Sequence, residues 1–485
     1  MVGIRSFGGY VPRYRLNRML IFDAMGWINA ATIANAKGEK AVANFDEDSI
    51  TMAVAAGLDC LKGIDRSTVE GVYLASTTMP YKERLNAGIV LAALGLDEHN
   101  RAADYSGGLK ASTTALLSAM EAVESKRTNN LLVSTSDCRL GKPGSAQEMI
   151  FGDASAAFLI SDEDVVAEFK GSFSTTYDFV DHYRGANAKF DRQWEDRWIR
   201  DLGFDFIIPE TVKGMLEKYE LKISDFAKVI YPCHYGAERK KLNKIIGIAP
   251  EQDQDNLLAV IGDAGTAQPL VMLSHALEEG KPGDKILMLS YGSGGDALYF
   301  ELTENITKAR PQEGISGYLT NKVDLDKYGK YLVWRDIIPA ELGIRSEEDI
   351  WTRWSVNWRK RKAILGLYGS KCTSCGTVQY PPQKICVNPE CGTIDQMEDF
   401  RLSDVPGKIF NYTGDNLAVS NDPPAIYGTI EFETGGRFVF DFTDCDLKSL
   451  SVDKPMEMSF RRRSYNAKRD ISNYFWKAVP KKEDK

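Results

Sequence analysis

Four cysteines, Cys372, Cys375, Cys386 and Cys391, are spaced as C-x2-C-x10-C-x4-C. Two close pairs around a hairpin-sized loop can bring four thiolates tetrahedrally around one Zn²⁺. Gly376 and Gly392 follow the second and fourth cysteines, where tight turns let backbone N–H groups approach sulfur. Four thiolates leave no open ligand position, so the zinc expected here is structural and not a source of chemistry. The alternative is a set of buried or disulfide-bonded cysteines. Cys60, Cys138, Cys233 and Cys445 are scattered, which fits a reducing cytoplasm.

A chain of 485 residues is long enough for two or three domains. Its 43% hydrophobic and 26% charged content is that of a soluble globular protein. A net charge of -8 argues against nucleic acid or an anionic membrane surface as partner. No run of about 18 apolar residues occurs, so no membrane span is expected. The opening MVGIRSFGGYVPRYRL has no apolar core before a cleavage site and reads as a first strand.

Over the first ~300 residues short apolar strands alternate with longer helical patterns, as in a layered α/β fold. Strands are expected at 69–76, 130–136, 228–232 and 285–290, and helices at 49–61, 108–125, 209–219 and 268–278. LLVSTSD leads to GDASAAFLISDE, and ILMLS leads to YGSGGDALYFELTE, so a Gly-Asp-Ala step enters an apolar strand twice. A weak internal duplication is the expected reason, with chance similarity as the alternative. The segment 349–371, rich in Trp, Arg and Lys, is expected to be a helix packing its aromatic face on a neighbour rather than binding nucleic acid. Short alternating strands at 407–417, 425–434, 437–442 and 455–461 suggest a small barrel, and a frayed charged tail follows.

The segments VGIRSFGGYVPRYRL, GDASAAFLI and SYGSGGDALYF resemble the hydroxymethylglutaryl-CoA synthase branch of the thiolase superfamily. That resemblance implies a duplicated thiolase-type αβαβα domain over 1–305. A linker over 306–349 follows. The C-terminal part, with C-x2-C-G, YPP and C-x4-C-G, resembles the zinc-ribbon and OB-fold module that accompanies thiolase-like enzymes acting on acyl-CoA. It implies a helix and zinc ribbon over 350–398 and an OB-fold with tail over 399–485. A coenzyme A thioester is the implied substrate. A homodimer is the implied assembly, with an additional thiolase-type subunit as a further possible partner.

The same resemblance locates the active site and shows that it has changed. In ADYSGGLKASTTALL the family's cysteine nucleophile corresponds to Leu109, which cannot form an acyl-enzyme. In ASTTMPY its general-base glutamate corresponds to Thr77. Its histidine is retained as His234 in IYPCHYG, and the partner asparagine corresponds to Asp263 in VIGDAGTAQPL. Asp beside His stabilises imidazolium and can itself take a proton. Cys233 and Cys138 read as structural, and Ser106 as a cap or turn residue. Tyr81, Tyr105, Tyr183, Tyr235 and Tyr291 fall in family-like segments; Tyr291 precedes a Gly-Ser-Gly-Gly turn whose N–H groups could join an oxyanion site.

The expected catalytic residues are therefore His234, Asp263 and Tyr291, with Leu109, Thr77 and Gly294 against substrate. Three functions follow. The main reading is a cysteine-free retro-aldolase that cleaves a 3-hydroxyacyl-CoA through an enolate. The alternatives are a hydroxymethylglutaryl-CoA synthase-like acyltransferase performing a condensation, and a non-catalytic subunit that binds acyl-CoA or a partner.

Overall fold

The computed structural model describes residues 1–308, 311, 313–347 and 352–481. It contains two compact units. One comprises Met1–Ala43, Asp48–Leu91 and His99–Tyr331; the other comprises Asn44–Glu47, Ala92–Glu98 and the described part of Leu332–Lys485.

The first unit is organised by a nine-stranded sheet. From edge to edge its strands are Lys228–Ile230, Lys285–Tyr291, Gly294–Leu302, Ala167–Thr176, Gly3–Tyr10, Ala154–Ser161, Asn130–Asp137, Gly71–Ala75 and Arg101–Tyr105. The two halves repeat one pattern. Gly71–Ala75 runs parallel to Asn130–Asp137, which pairs antiparallel with Ala154–Ser161, and that strand pairs antiparallel with Gly3–Tyr10. Lys228–Ile230 likewise runs parallel to Lys285–Tyr291, then Gly294–Leu302 and Ala167–Thr176 follow antiparallel. The two Gly-Asp-Ala steps enter equivalent strands of this repeat.

Burial explains the strand sequences. Asn130–Asp137 and Ala154–Ser161 are buried at every position, so both read as continuous apolar or small-residue runs rather than as alternation. Two helices that precede equivalent strands, Ala111–Glu124 and Gln268–Glu279, share one apolar core with these strands. Gln268–Glu279 is buried nearly all round, as expected of an inner-layer helix. The helix Ser49–Cys60 starts where Asp48 accepts from the N–H groups of Ile50 and Thr51, leaving two fewer orphan donors.

Two segments carry more structure than the sequence reading gave them. The helix read at 209–219 is Ile208–Lys218, and it continues a π-helical stretch, Ile199–Ile207, that period-3.6 reasoning misses. The segment read as a linker from 306 carries helices Gly314–Thr320 and Tyr328–Trp334, and Val323–Asp324 pairs in parallel with the strand Tyr14–Asn17. Its side chains explain this: Ile315 is fully buried in the first unit's core, and Tyr331 and Tyr328 are buried as well.

In the second unit a three-stranded sheet, Val378–Gln379, Tyr368–Cys372 and Met397–Arg401, holds Cys372, and its connections hold Cys375, Cys386 and Cys391. A five-stranded antiparallel sheet follows, in the order Arg437–Asp441, Ala425–Phe432, Gly407–Asp415, Pro455–Asn466 and Ile471–Pro480. Its two edges meet at a bridge between Phe442 and Ala478. The segment expected as one Trp-rich helix is two short helices, Trp354–Arg359 and Arg361–Leu365. Trp358 is 67% exposed beneath the Arg361 guanidinium and does not pack as expected. Residues 348–351 of the expected linker and helix, and 482–485 of the expected tail, lie outside the described residues.

Candidate active site

A cavity of about 70 Å³ opens in the first unit and is lined by His234, Asp263, Tyr291 and Leu109. His234 follows the buried edge strand Lys228–Ile230, and the loop before it is pinned where Asn256 Nδ2 donates to the Cys233 carbonyl (3.0 Å). Asp263 is placed by backbone pairing. Its N–H donates to the Ile150 carbonyl (2.8 Å), and its carbonyl accepts from Gly152 N–H (3.1 Å). A Cβ on Gly152 would lie 1.7 Å from the Ile261 carbonyl oxygen, so only glycine lets these loops approach. The first Gly-Asp-Ala step thus builds the site.

Asp263 Oδ2 stands 3.8 Å from His234 Nδ1 and 3.1 Å from Arg139 Nη2. Burial alone would raise the Asp263 carboxyl, but Arg139 and then His234 bring it below the ordinary range. Burial pushes the His234 imidazole down; Asp263 opposes this and Arg139 adds to it, leaving the net value lowered. Arg139 is buried, with its guanidinium 4.0 Å from the Phe151 ring centre. Against burial, Asp263, Asp191 and Asp137 hold that guanidinium above its usual range. Asp191 Oδ2 is 3.6 Å from Arg139, and its Oδ1 accepts from Arg184 Nη1 at 2.7 Å.

Tyr291 ends its strand with its ring stacked on Phe204 at 4.4 Å. The π-helical stretch brings Gly203 so close that a Cβ there would lie 2.2 Å from the Tyr291 hydroxyl. That hydroxyl is buried beside the Asp181 carboxylate. Burial, and next the neighbouring Asp181 carboxylate, push it well above the ordinary tyrosine range.

The other expected site residues are placed differently. Leu109 lines the cavity just before the helix Ala111–Glu124, with its carbonyl accepting from Thr266 Oγ1 (2.9 Å). Thr77 is not in the lining. Its hydroxyl donates to Asp137 Oδ2 (2.8 Å), so it is committed to a buried carboxylate. Asp137 also accepts from Ser76 Oγ (3.0 Å), Thr78 Oγ1 (3.1 Å) and the N–H of Thr266 (2.9 Å), and burial raises its pKa in spite of Arg139. Gly294 opens its strand opposite Thr176, outside the lining. The turn N–H groups considered for an oxyanion site are largely used: Gly292 donates to the Gly294 carbonyl (3.0 Å) and Gly295 to Thr175 Oγ1 (3.0 Å). Cys233 lines the cavity, but burial pushes its thiol up to about 12, which excludes a resting thiolate.

Arg139, Asp137, Asp191 and the pair Asp181–His182 were not singled out from the sequence. Asp137 and Arg139 follow a fully buried strand within SDCR, a signal visible only once that strand is known to end at the cavity. The Asp-His dipeptide at 181–182 was itself available.

In the second unit the four cysteine sulfurs lie within 4.8 Å of one another. Cys372 and Cys391 are 3.8 Å apart, and Cys375 and Cys386 3.5 Å. Tetrahedral Zn–S bonds of ~2.3 Å require sulfurs roughly 3.8 Å apart, so this donor set fits a four-coordinate thiolate site.

Residues 359–394 match the family described as "ChsH2, rubredoxin-like zinc ribbon domain". The chain is similar to the hydroxymethylglutaryl-CoA synthase of Methanopyrus kandleri, 31% identical over 337 residues, 68% of this chain and 96% of that protein. Its similarity to the enzyme of the same name from Methanocaldococcus jannaschii is 31% over 344 residues, 69% and 99% of the two chains. A solved HMG-CoA synthase complexed with CoA superposes with a TM-score of 0.61 at 20% identity, over 71% of this chain and 92% of that one. The 3-oxoacyl-[acyl-carrier-protein] synthase III of Aquifex aeolicus superposes at 0.53 and 19%, over 62% and 100%. These superpositions establish the thiolase-type layered fold. Relatives that are synthases favour the condensing alternative over the retro-aldolase reading. With that likeness running along nearly the whole length of its relatives, the chain belongs to the hydroxymethylglutaryl-CoA synthase family and is an enzyme that carries a zinc ribbon beyond the family domain.

Proposed function

We propose that this enzyme condenses an acyl-CoA thioester with a carbonyl compound by aldol addition, without forming an acyl-enzyme. The observation that carries it is the cavity wall itself: His234 stands beside Asp263 there, while Leu109 lines it at the position that the resemblance gives to the nucleophile. The names of the relatives support the condensing direction, and the solved neighbour bound to CoA supports the thioester.

His234 is neutral at rest because burial disfavours its charged form. With Nδ1 turned to Asp263, Nε2 is the basic atom, and it takes a proton from the carbon next to the thioester. Asp263 stabilises the resulting imidazolium, and Arg139 keeps Asp263 ionised. The buried Tyr291 hydroxyl, held neutral by burial and the nearby Asp181 carboxylate, donates to the thioester oxygen as enolate charge develops. The enolate carbon then bonds to the carbonyl carbon of the second substrate. Cleavage of a 3-hydroxyacyl-CoA is the microscopic reverse of this step.

Cys372, Cys375, Cys386 and Cys391 would hold a structural zinc, and the five-stranded sheet with meeting edges supports the OB-fold reading. We read the protein as a cytoplasmic homodimer paired through the sheet edge strand Arg101–Tyr105, with light scattering as the check on its mass.

The test is mass spectrometry of products from purified protein given acetyl- or propionyl-CoA with a panel of ketones, aldehydes and 3-oxoacyl-CoA esters. A 3-hydroxyacyl-CoA product, lost in His234→Ala, is the expected result. Binding of CoA esters with neither synthesis nor cleavage would mark a binding subunit instead.

A further inference from the structure

The cavity holds a second histidine–carboxylate pair. His182 and Asp181 both line it, on the hairpin formed by the strands His182–Tyr183 and Arg192–Gln193. His182 Nδ1 is 2.8 Å from Asp181 Oδ1, whereas the His234–Asp263 separation is 3.8 Å. The hairpin is firmly built: Trp194 N–H donates to the Asp181 carbonyl (2.8 Å), and Gln193 stands opposite His182. Gln147 Nε2 donates to Gln193 Oε1 (3.0 Å), which ties the hairpin to another lining residue.

Aldol addition leaves one step without a residue. As the new C–C bond forms, the carbonyl oxygen of the second substrate becomes an alkoxide and must gain a proton. His234 has just received one as base, and Tyr291 is assigned to the enolate oxygen in the reading above. A proton donor with its own carboxylate brace is what this step requires. We propose that His182 is that general acid, held by Asp181 through Nδ1 and donating from Nε2 to the forming alkoxide.

The inference rests on the aldol reading above, and its protons balance. His234 Nε2 gains the carbon-bound proton, His182 Nε2 loses one to the product hydroxyl, and solvent returns the difference between turnovers. In the reverse direction His182 takes the 3-hydroxyl proton. Against burial, the bond to His182 holds the Asp181 carboxyl below its ordinary range, so the acid's partner is an anion. Asp181 also neighbours the Tyr291 hydroxyl, and both His182 and Tyr291 line the cavity.

The experiment separates the two half-steps. Exchange of the thioester's α-hydrogens in D₂O reports base action, and product formation reports the whole addition. His182→Gln should retain exchange at a rate close to that of the natural protein and lose product formation by about 100-fold or more. His234→Gln should lose both. Asp181→Asn, which preserves the shape of the hairpin, should lose product formation by a smaller factor and carries the same test should His182→Gln fail to fold. Product formation unchanged in His182→Gln or Asp181→Asn would overturn the assignment. Loss of exchange together with product in a folded His182→Gln protein would also overturn it. If the natural protein shows neither exchange nor product, the aldol reading fails and takes this inference with it.

Discussion

Asp263 stands 3.8 Å from His234 Nδ1 while Arg139 approaches the same carboxylate oxygen to 3.1 Å. One charge is thus shared between a fixed cation and a titrating base. The geometry keeps Asp263 ionised and lets burial keep His234 neutral.

Activity should therefore hold below the ordinary histidine pKa of ~6.5 before an acid limb appears. The sign follows from the depressed His234 value: protonation, which removes the base, begins only once pH falls toward it. Asp263→Asn removes the group that raises His234, so its acid limb should move to lower pH. A pH–rate profile of both proteins checks this; an unmoved limb would mean that another group controls it.

Leu109 predicts that the natural protein takes up no acyl group from acetyl-CoA, as read by intact mass. Leu109→Cys places a thiol just before the helix Ala111–Glu124, where the N-terminal field favours thiolate. That variant should gain one acetyl group. Lack of uptake by a folded Leu109→Cys protein would show that the surrounding residues no longer support acyl transfer.

Arg139 should matter to stability as well as to chemistry. Arg139→Met leaves Asp137, Asp191 and Asp263 without their common cation, which should cost about 3–5 kcal/mol in denaturant unfolding. A loss under 1 kcal/mol would show that the carboxylates shed their charge at little cost.

In the second unit Asp46 lies 2.9 Å from Lys477 and 3.3 Å from Arg461, all three buried. Against burial, Lys477 and Arg461 hold the Asp46 carboxyl below its ordinary value. Its contribution should be complete above the unfolded pKa of ~3.9 and lost as pH falls through the lower folded value. Asp46→Asn should flatten that acid loss in urea melts taken from pH 7 to pH 2.

Metal analysis should return about one zinc per chain, and Cys375→Ser should abolish it, because a structural site needs all four thiolates.

How much of this was legible depended on whether the signal was local. The cysteine spacing, the buried apolar runs and the two Gly-Asp-Ala steps each report on their own neighbourhood, and the zinc ribbon and the repeated sheet followed from them. His234 and Asp263 were found through family-like segments, and Leu109 through the same register. The π-helical stretch at 199–207 was missed because its i→i+5 bonding is not what a reading for ordinary helices looks for. Arg139 and Asp137 were hidden for another reason: charged residues rarely read as buried until three elements are seen to converge on them. Thr77 was expected against substrate because its position was inferred from a glutamate, but its shorter side chain turns to Asp137 instead.

The central claim, C–C bond formation without a covalent acyl group, is tested most directly by rapid-quench mass spectrometry with isotopically labelled acetyl-CoA and the best carbonyl acceptor, following product and intact protein together. The account predicts labelled 3-hydroxyacyl-CoA with no added mass on the protein at any time, and no product from His234→Gln. A labelled acetyl adduct that forms on the protein and decays as product appears would contradict it.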